Sequence, residues 1–144
     1  FKGFLAIDLD RDDSLSIFEG NYTDDASYFT ERGYLLDKGF IMNKLALDYQ
    51  WTEKLRVGGA VMYMMTAEDI DYFNANGGSE SNDEIGFEVN GYAKYMIFKN
   101  VELAVNAGYL FSGDAMDAFE TGSDRDGSAD ENIFVSSARL RYKF

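Results

Sequence analysis

The chain has 144 residues and a mass of 16.2 kDa, the size of a single domain. It contains no His, Cys or Pro, which excludes the common zinc sites, thiol chemistry and His-based acid–base machinery and leaves the redox compartment open. A net charge of −13 argues against nucleic acid as a partner, and no apolar run approaches the ~18 residues of a transmembrane helix.

In chain order, Phe1 to Asp10 alternates weakly, with Phe1, Leu5, Ile7 and Leu9 opposite Lys2, Ala6, Asp8 and Asp10. The chain starts at Phe1 with neither Met nor signal peptide, so it is expected to be a processed form or the C-terminal part of something larger. The stretch Asp8 to Glu19 resembles an EF-hand loop. Asp8, Asp10 and Asp12 take positions one, three and five, the Ser14 carbonyl seven, Ser16 nine and Glu19 twelve, a spacing that wraps one calcium ion in oxygen ligands. Asp13 stands where such loops carry Gly, and the preceding residues alternate as a strand does. A strand running into an acidic external loop, near 11–39, explains the same residues. Calcium is the one cofactor the sequence suggests.

Five clearer runs follow, each with the two-residue period that sends successive side chains to opposite faces of a strand. In Phe40 to Trp51 the apolar face is Ile41, Asn43, Leu45, Leu47, Tyr49 and Trp51; in the next run it is Leu55, Val57, Gly59, Val61, Tyr63 and Met65. Ile85, Phe87, Val89, Gly91, Ala93, Tyr95 and Ile97 repeat it, then Val101, Leu103, Val105, Ala107, Tyr109 and Phe111, and finally Phe134, Ser136, Ala138, Leu140, Tyr142 and Phe144. Runs of ~11–13 residues exceed the five or six usual in soluble sheets and match strands that cross a bilayer at a tilt. Turns near 52–54 and 98–100 are tight, whereas 69–83 and 114–131 read as long Gly/Ser/Asp-rich external loops. Short turns on one rim and long loops on the other are the asymmetry of outer-membrane barrels.

Aromatic and charged residues agree with that geometry. Trp51, Tyr49, Tyr95, Tyr142 and Phe144 fall near the short-turn rim, and Tyr63, Tyr109 and Phe111 toward the long-loop rim, as two interfacial girdles would. Outside Asp8–Asp37, Glu68–Glu84 and Asp114–Glu131 the only acids are Asp48, Glu53, Glu88 and Glu102, so the loops cause the low pI. Such loops make a solvated, repulsive surface, or bind divalent cations that bridge to anionic lipid headgroups.

The last residues, Ala138-Arg-Leu-Arg-Tyr-Lys-Phe144, resemble the C-terminal assembly signal of Gram-negative outer-membrane β-barrel proteins, with Leu140, Tyr142 and Phe144 at alternating positions. The segment Gly108 to Asp114 is similar to the outward strand ends of porin-like barrels. The resemblance implies an all-β, antiparallel up-and-down transmembrane barrel spanning 1–144. It also implies an outer-membrane location in a Gram-negative bacterium, and as partners the barrel-assembly machinery, outer-membrane lipid and lipopolysaccharide. Barrels of this family close with at least eight strands, so about six strands fit part of a larger barrel or one share of an oligomeric one.

The face opposite the apolar one carries Lys44, Asp48, Arg56, Glu88, Lys94, Glu102, Arg139, Arg141 and Lys143, a mixed-sign wall suited to a water-filled lumen. Pairing Trp51 with Leu55 sets Arg56 beside Gln50 and diagonal to Asp48, and pairing Ile97 with Val101 sets Lys94 diagonal to Glu102. Pairing Phe144 with Val101 sets Glu102 against Lys143, Ala104 against Arg141 and Asn106 against Arg139. These charges either pair and stiffen the wall or bias passage toward anions. The expected function is a porin-like channel component for small hydrophilic solutes or ions. The alternative is a structural barrel that encloses a plug or partner protein, or anchors surface loops. No enzyme is expected.

Overall fold

The computed structural model describes residues 38–129 and 131–144. Five strands, β1 (Ile41–Thr52), β2 (Leu55–Phe73), β3 (Ser79–Phe98), β4 (Val101–Ser112) and β5 (Ile133–Tyr142), form one sheet in the order β1-β2-β3-β4-β5. Each neighbouring pair is antiparallel, so the topology is up-and-down, and among the described residues the sheet is open, with β1 and β5 at its edges. The weak alternation of Phe1 to Asp10 lies outside the described residues.

The two tight turns close as short hairpins. Thr52 faces Leu55, and the Thr52 hydroxyl accepts the Lys54 and Leu55 N–H groups at 3.2 and 3.0 Å. Trp51 is not the partner of Leu55, because the pairing shifts between Gln50 and Thr52; Gln50 still faces Arg56. At the other turn Phe98, not Ile97, faces Val101, again through a shift of one residue.

The stretch 69–83 is mostly not loop. β2 continues to Phe73 and β3 begins at Ser79, leaving a tip of five residues, 74–78. The Asn74 side chain shapes this tip by accepting the Asn76 and Gly78 N–H groups at 3.0 and 2.8 Å. Below it the pairing jumps from Met65–Glu84 to Ile70–Asn82, a wide irregularity bridged by the Thr66 hydroxyl donating to the Asp83 carbonyl at 3.3 Å.

A second irregularity corrects the expected phase of β3. Met64 faces Gly86 and Met65 faces Glu84, so Ile85 is the extra residue of a β-bulge. Ile85 leaves the apolar face and is fully buried on the opposite one, in a cluster with Met64, Ile70, Leu110, Ala115 and Met116. Gly86 has φ +138°, and a Cβ there would lie 2.2 Å from the Phe111 carbonyl oxygen, so the bulge requires glycine.

Ala115 and Met116 belong to the 114–131 connection, whose first half is a short 3-10 helix, Asp114–Phe119, followed by another over Gly122–Asp124. Rather than standing off the sheet, this segment folds back on β2 and β3, with Ala118, Phe119 and Ala129 also packed on the cluster. Fully buried Asp117 accepts the backbone N–H groups of Asp126 and Gly127 at 3.1 and 3.0 Å, which closes the segment on itself. The Ala75 N–H donates to the Arg125 carbonyl at 2.6 Å and ties it to the hairpin tip.

Candidate functional site: the mixed face and its cap

The two faces of the sheet are inverted relative to a soluble half-buried sheet, in which the apolar side is the covered one. Here the apolar face is open: Leu45 is 67%, Leu47 76%, Trp51 67% and Leu140 67% exposed. Burial falls instead on the mixed face, where Met62, Met64, Glu88 and Leu110 are fully buried and Ala60, Asn90, Tyr92 and Ala104 nearly so. The alternation predicted this separation along the bodies of the strands; Ile85 crosses it, and the pairing shifts at Trp51 and Ile97 interrupt it next to the turns.

Near the short turns, β1, β2 and β3 bring Asp48, Arg56, Tyr92 and Lys94 together. Arg56 grips the Asp48 carboxylate with two nitrogens, Nε donating to Oδ1 at 2.9 Å and Nη2 to Oδ2. Tyr92 reaches across β2 to donate its hydroxyl to the same Oδ1 at 2.5 Å. That reach is open because residue 58, which separates Asp48 from Tyr92 in the register, is glycine. The Lys94 ammonium sits 5.3 Å from the centre of the Tyr92 ring, within range of a cation–π attraction. Arg56 and Lys94 face each other directly, a like-charge pairing that the Asp48 carboxylate offsets.

On β4 and β5 the register corrects the expectation by two residues. Val101 faces Tyr142, not Phe144, so Glu102 faces Arg141, Ala104 faces Arg139 and Asn106 faces Ser137. The Glu102–Arg141 ion pair is loose, at 3.9 Å, while Ser137 donates to the Asn106 side-chain oxygen at 2.6 Å. Lys143 is held next to the turn by its backbone N–H, which donates to the Asn100 carbonyl at 2.9 Å. Lys94 is diagonal to Glu102, as expected.

Lys44 and Glu88 lie farther toward the loop end, on either side of Met62. Glu88 accepts from the Asn90 side-chain amide at 3.3 Å. The predicted wall thus includes an assembly around Asp48 and an ion pair between Glu102 and Arg141. Leu140, Tyr142 and Phe144 all lie on the open apolar face, with the Tyr142 and Phe144 rings edge-on at 5.0 Å. Asp8, Asp10, Asp12, Ser14, Ser16 and Glu19, the ligands expected from the EF-hand-like spacing, lie outside the described residues; among those described, no cluster of three or more acidic side chains has metal-binding geometry.

Tyr92 is the central side chain that reasoning on charges passed over. An aromatic on a polar face one strand away from a glycine was the available signal. The folded-back cap was also missed; its signal is the apolar spacing Ala115, Met116, Ala118, Phe119 inside an otherwise polar stretch. Comparison with protein-family models, curated proteins and solved structures finds no match in any of the three.

Proposed function

We propose that this sheet is a wall segment of a transmembrane β-barrel, whose apolar face meets lipid and whose mixed face lines a path for small hydrophilic solutes. The observation that carries the reading is the open apolar face, which continues across all five strands. Exposed apolar surface on this scale needs a non-aqueous neighbour. Rows of aromatics frame it, Tyr63, Phe87 and Phe111 on one side and Trp51, Tyr95 and Tyr142 on the other. Leu55 to Tyr63 spans nine residues, within the ~9–11 with which a tilted strand crosses a bilayer. Closure would be completed by strands beyond the described five, since unpaired backbone in hydrocarbon costs several kcal/mol per group.

The test is reconstitution of the full chain in planar bilayers. Discrete ohmic openings are expected; silence at every voltage, with the spectrum of a folded β-protein intact, would reject the channel. That second outcome favours a closed scaffold barrel, for which the cap folded on the loop end of the mixed face already supplies an obstruction.

A further inference from the structure

We infer that the turn end of the mixed face selects oxyanions, with Arg139, Arg141 and Lys143 favouring small carboxylates and phosphates over cations. The inference rests on the channel reading above and names its solute class.

Three observations support it. The first is charge balance. Next to the turns the mixed face holds Arg56, Lys94, Arg139, Arg141 and Lys143 against Asp48 and Glu102, and Asp48 is consumed by Arg56. The second is availability. Arg139 faces the uncharged methyl of Ala104 and has no ion-pair partner among the described residues, and Arg141 keeps 44% of its side chain exposed beside a carboxylate 3.9 Å away. Neither guanidinium is committed to a bidentate partner, the geometry in which Arg binds a carboxylate or phosphate most strongly.

The third is polarity along the strands. The loop end carries Glu68, Asp69, Asp71, Glu80, Asp83 and Glu84 on the β2–β3 hairpin, and Asp114, Asp117, Glu120, Asp124 and Asp126 in the cap. The wall is thus acidic at one end and basic at the other. Arg139 and Arg141 lie ~6.6 Å apart along β5, and their fields add because that is inside the ~8 Å Debye length of physiological salt. A confined polar path focuses such a field on passing ions.

The test measures reversal potential across a KCl gradient for the full chain and for Arg139→Glu/Arg141→Glu. The parent is expected to prefer chloride, inorganic phosphate to reduce its chloride current, and the variant to reverse the sign of the potential. Channels with the same selectivity in parent and variant would overturn the inference and leave the channel reading standing. If no channel opens, the channel reading fails, and NMR titration of inorganic phosphate into detergent-solubilised protein decides the site. Phosphate-dependent shifts at the Arg139 and Arg141 side chains, absent in Arg139→Gln/Arg141→Gln, would sustain it, and their absence in the parent would overturn it. The Gln variants, which keep length and polarity, must retain the parent's β-spectrum.

Discussion

Tyr92 lies across Gly58: a Cβ placed on that glycine would come within 2.5 Å of the ring Cε1 and 2.7 Å of its hydroxyl oxygen. The pair joins three strands, since the same hydroxyl ends on Asp48 of β1. Gly58→Ala is therefore expected to displace the ring and cost ~1–3 kcal/mol, the usual range for overpacking. Tyr92→Phe keeps the ring but loses a hydrogen bond to a carboxylate, worth ~1.5 kcal/mol at the low end because Asp48 is partly exposed. In a Tyr92→Ala background the Gly58→Ala cost should vanish. Urea unfolding of the four proteins forms the cycle, and additive effects would show that the two residues are uncoupled.

The bulge at Ile85 makes a sharper demand. Gly86→Ala puts a side chain at φ +138° and against the Phe111 carbonyl, so a loss of more than ~2 kcal/mol is expected. Ile85→Ala opens a cavity in the cluster under the cap and is expected to cost ~2–4 kcal/mol. Both should raise amide exchange at Met116 and at Gly113, whose N–H donates to the Ile85 carbonyl at 2.9 Å. Unchanged exchange at those amides would mean that the cap does not depend on the bulge.

The cap should respond to pH through Glu120. Burial, then the negative charges of Asp117, Glu131, Asp124 and Asp126, raise its carboxyl above the ordinary value of 4.5. Folded Glu120 thus holds its proton more tightly than unfolded Glu120. Its contribution favours the cap most below pH 4.5 and falls as pH climbs from 4.5 through the raised value, then levels off. Glu120→Gln should flatten this dependence and protect the cap at neutral pH. Hydrogen exchange at Asp126 and Gly127 against pH is the measurement, and a parent profile identical to the variant's would contradict it.

Leu47 separates the membrane reading from a soluble one. At 76% exposure, Leu47→Arg would change the stability of a soluble sheet by no more than ~0.5 kcal/mol. Between the aromatic rows of a lipid-facing wall the same change should cost ~2–4 kcal/mol and reduce folding yield into vesicles. Leu140→Arg, nearer the rim, is expected to cost less. Equal, negligible effects at both positions would argue against lipid on this face.

The sorting of side chains between the two faces was legible from sequence because it depends only on the local period of two, which each strand carries alone. Leu45, Leu47, Tyr49 and Trp51 needed no partner to declare their side. Hairpins with tight turns were nearly as legible, since two or three residues leave little freedom of register; Arg56 lands beside Gln50 and diagonal to Asp48 as the turn implied. The β2–β3 extension was hidden because its β3 half, 79–83, is polar on both faces and has no alternation to read. On the β2 half, Ile70 and Tyr72 alternating with acids make too short a run to stand out from a polar loop.

Tertiary structure alone decided how β5 meets β4. The connection between them spans 113–132 and imposes no register, and a slip of two residues leaves every side chain on its own face, so the hydrophobic pattern is indifferent to it. Arg141 rather than Lys143 therefore became the partner of Glu102, and Arg139 came to face Ala104. Ile85 crossed sides because one inserted residue reverses the phase locally, and its new side is set by the Met64, Leu110 and Met116 packing that receives it. Alternation is a property of a single chain segment; register, bulge and cap are settled only when segments distant in sequence close against one another.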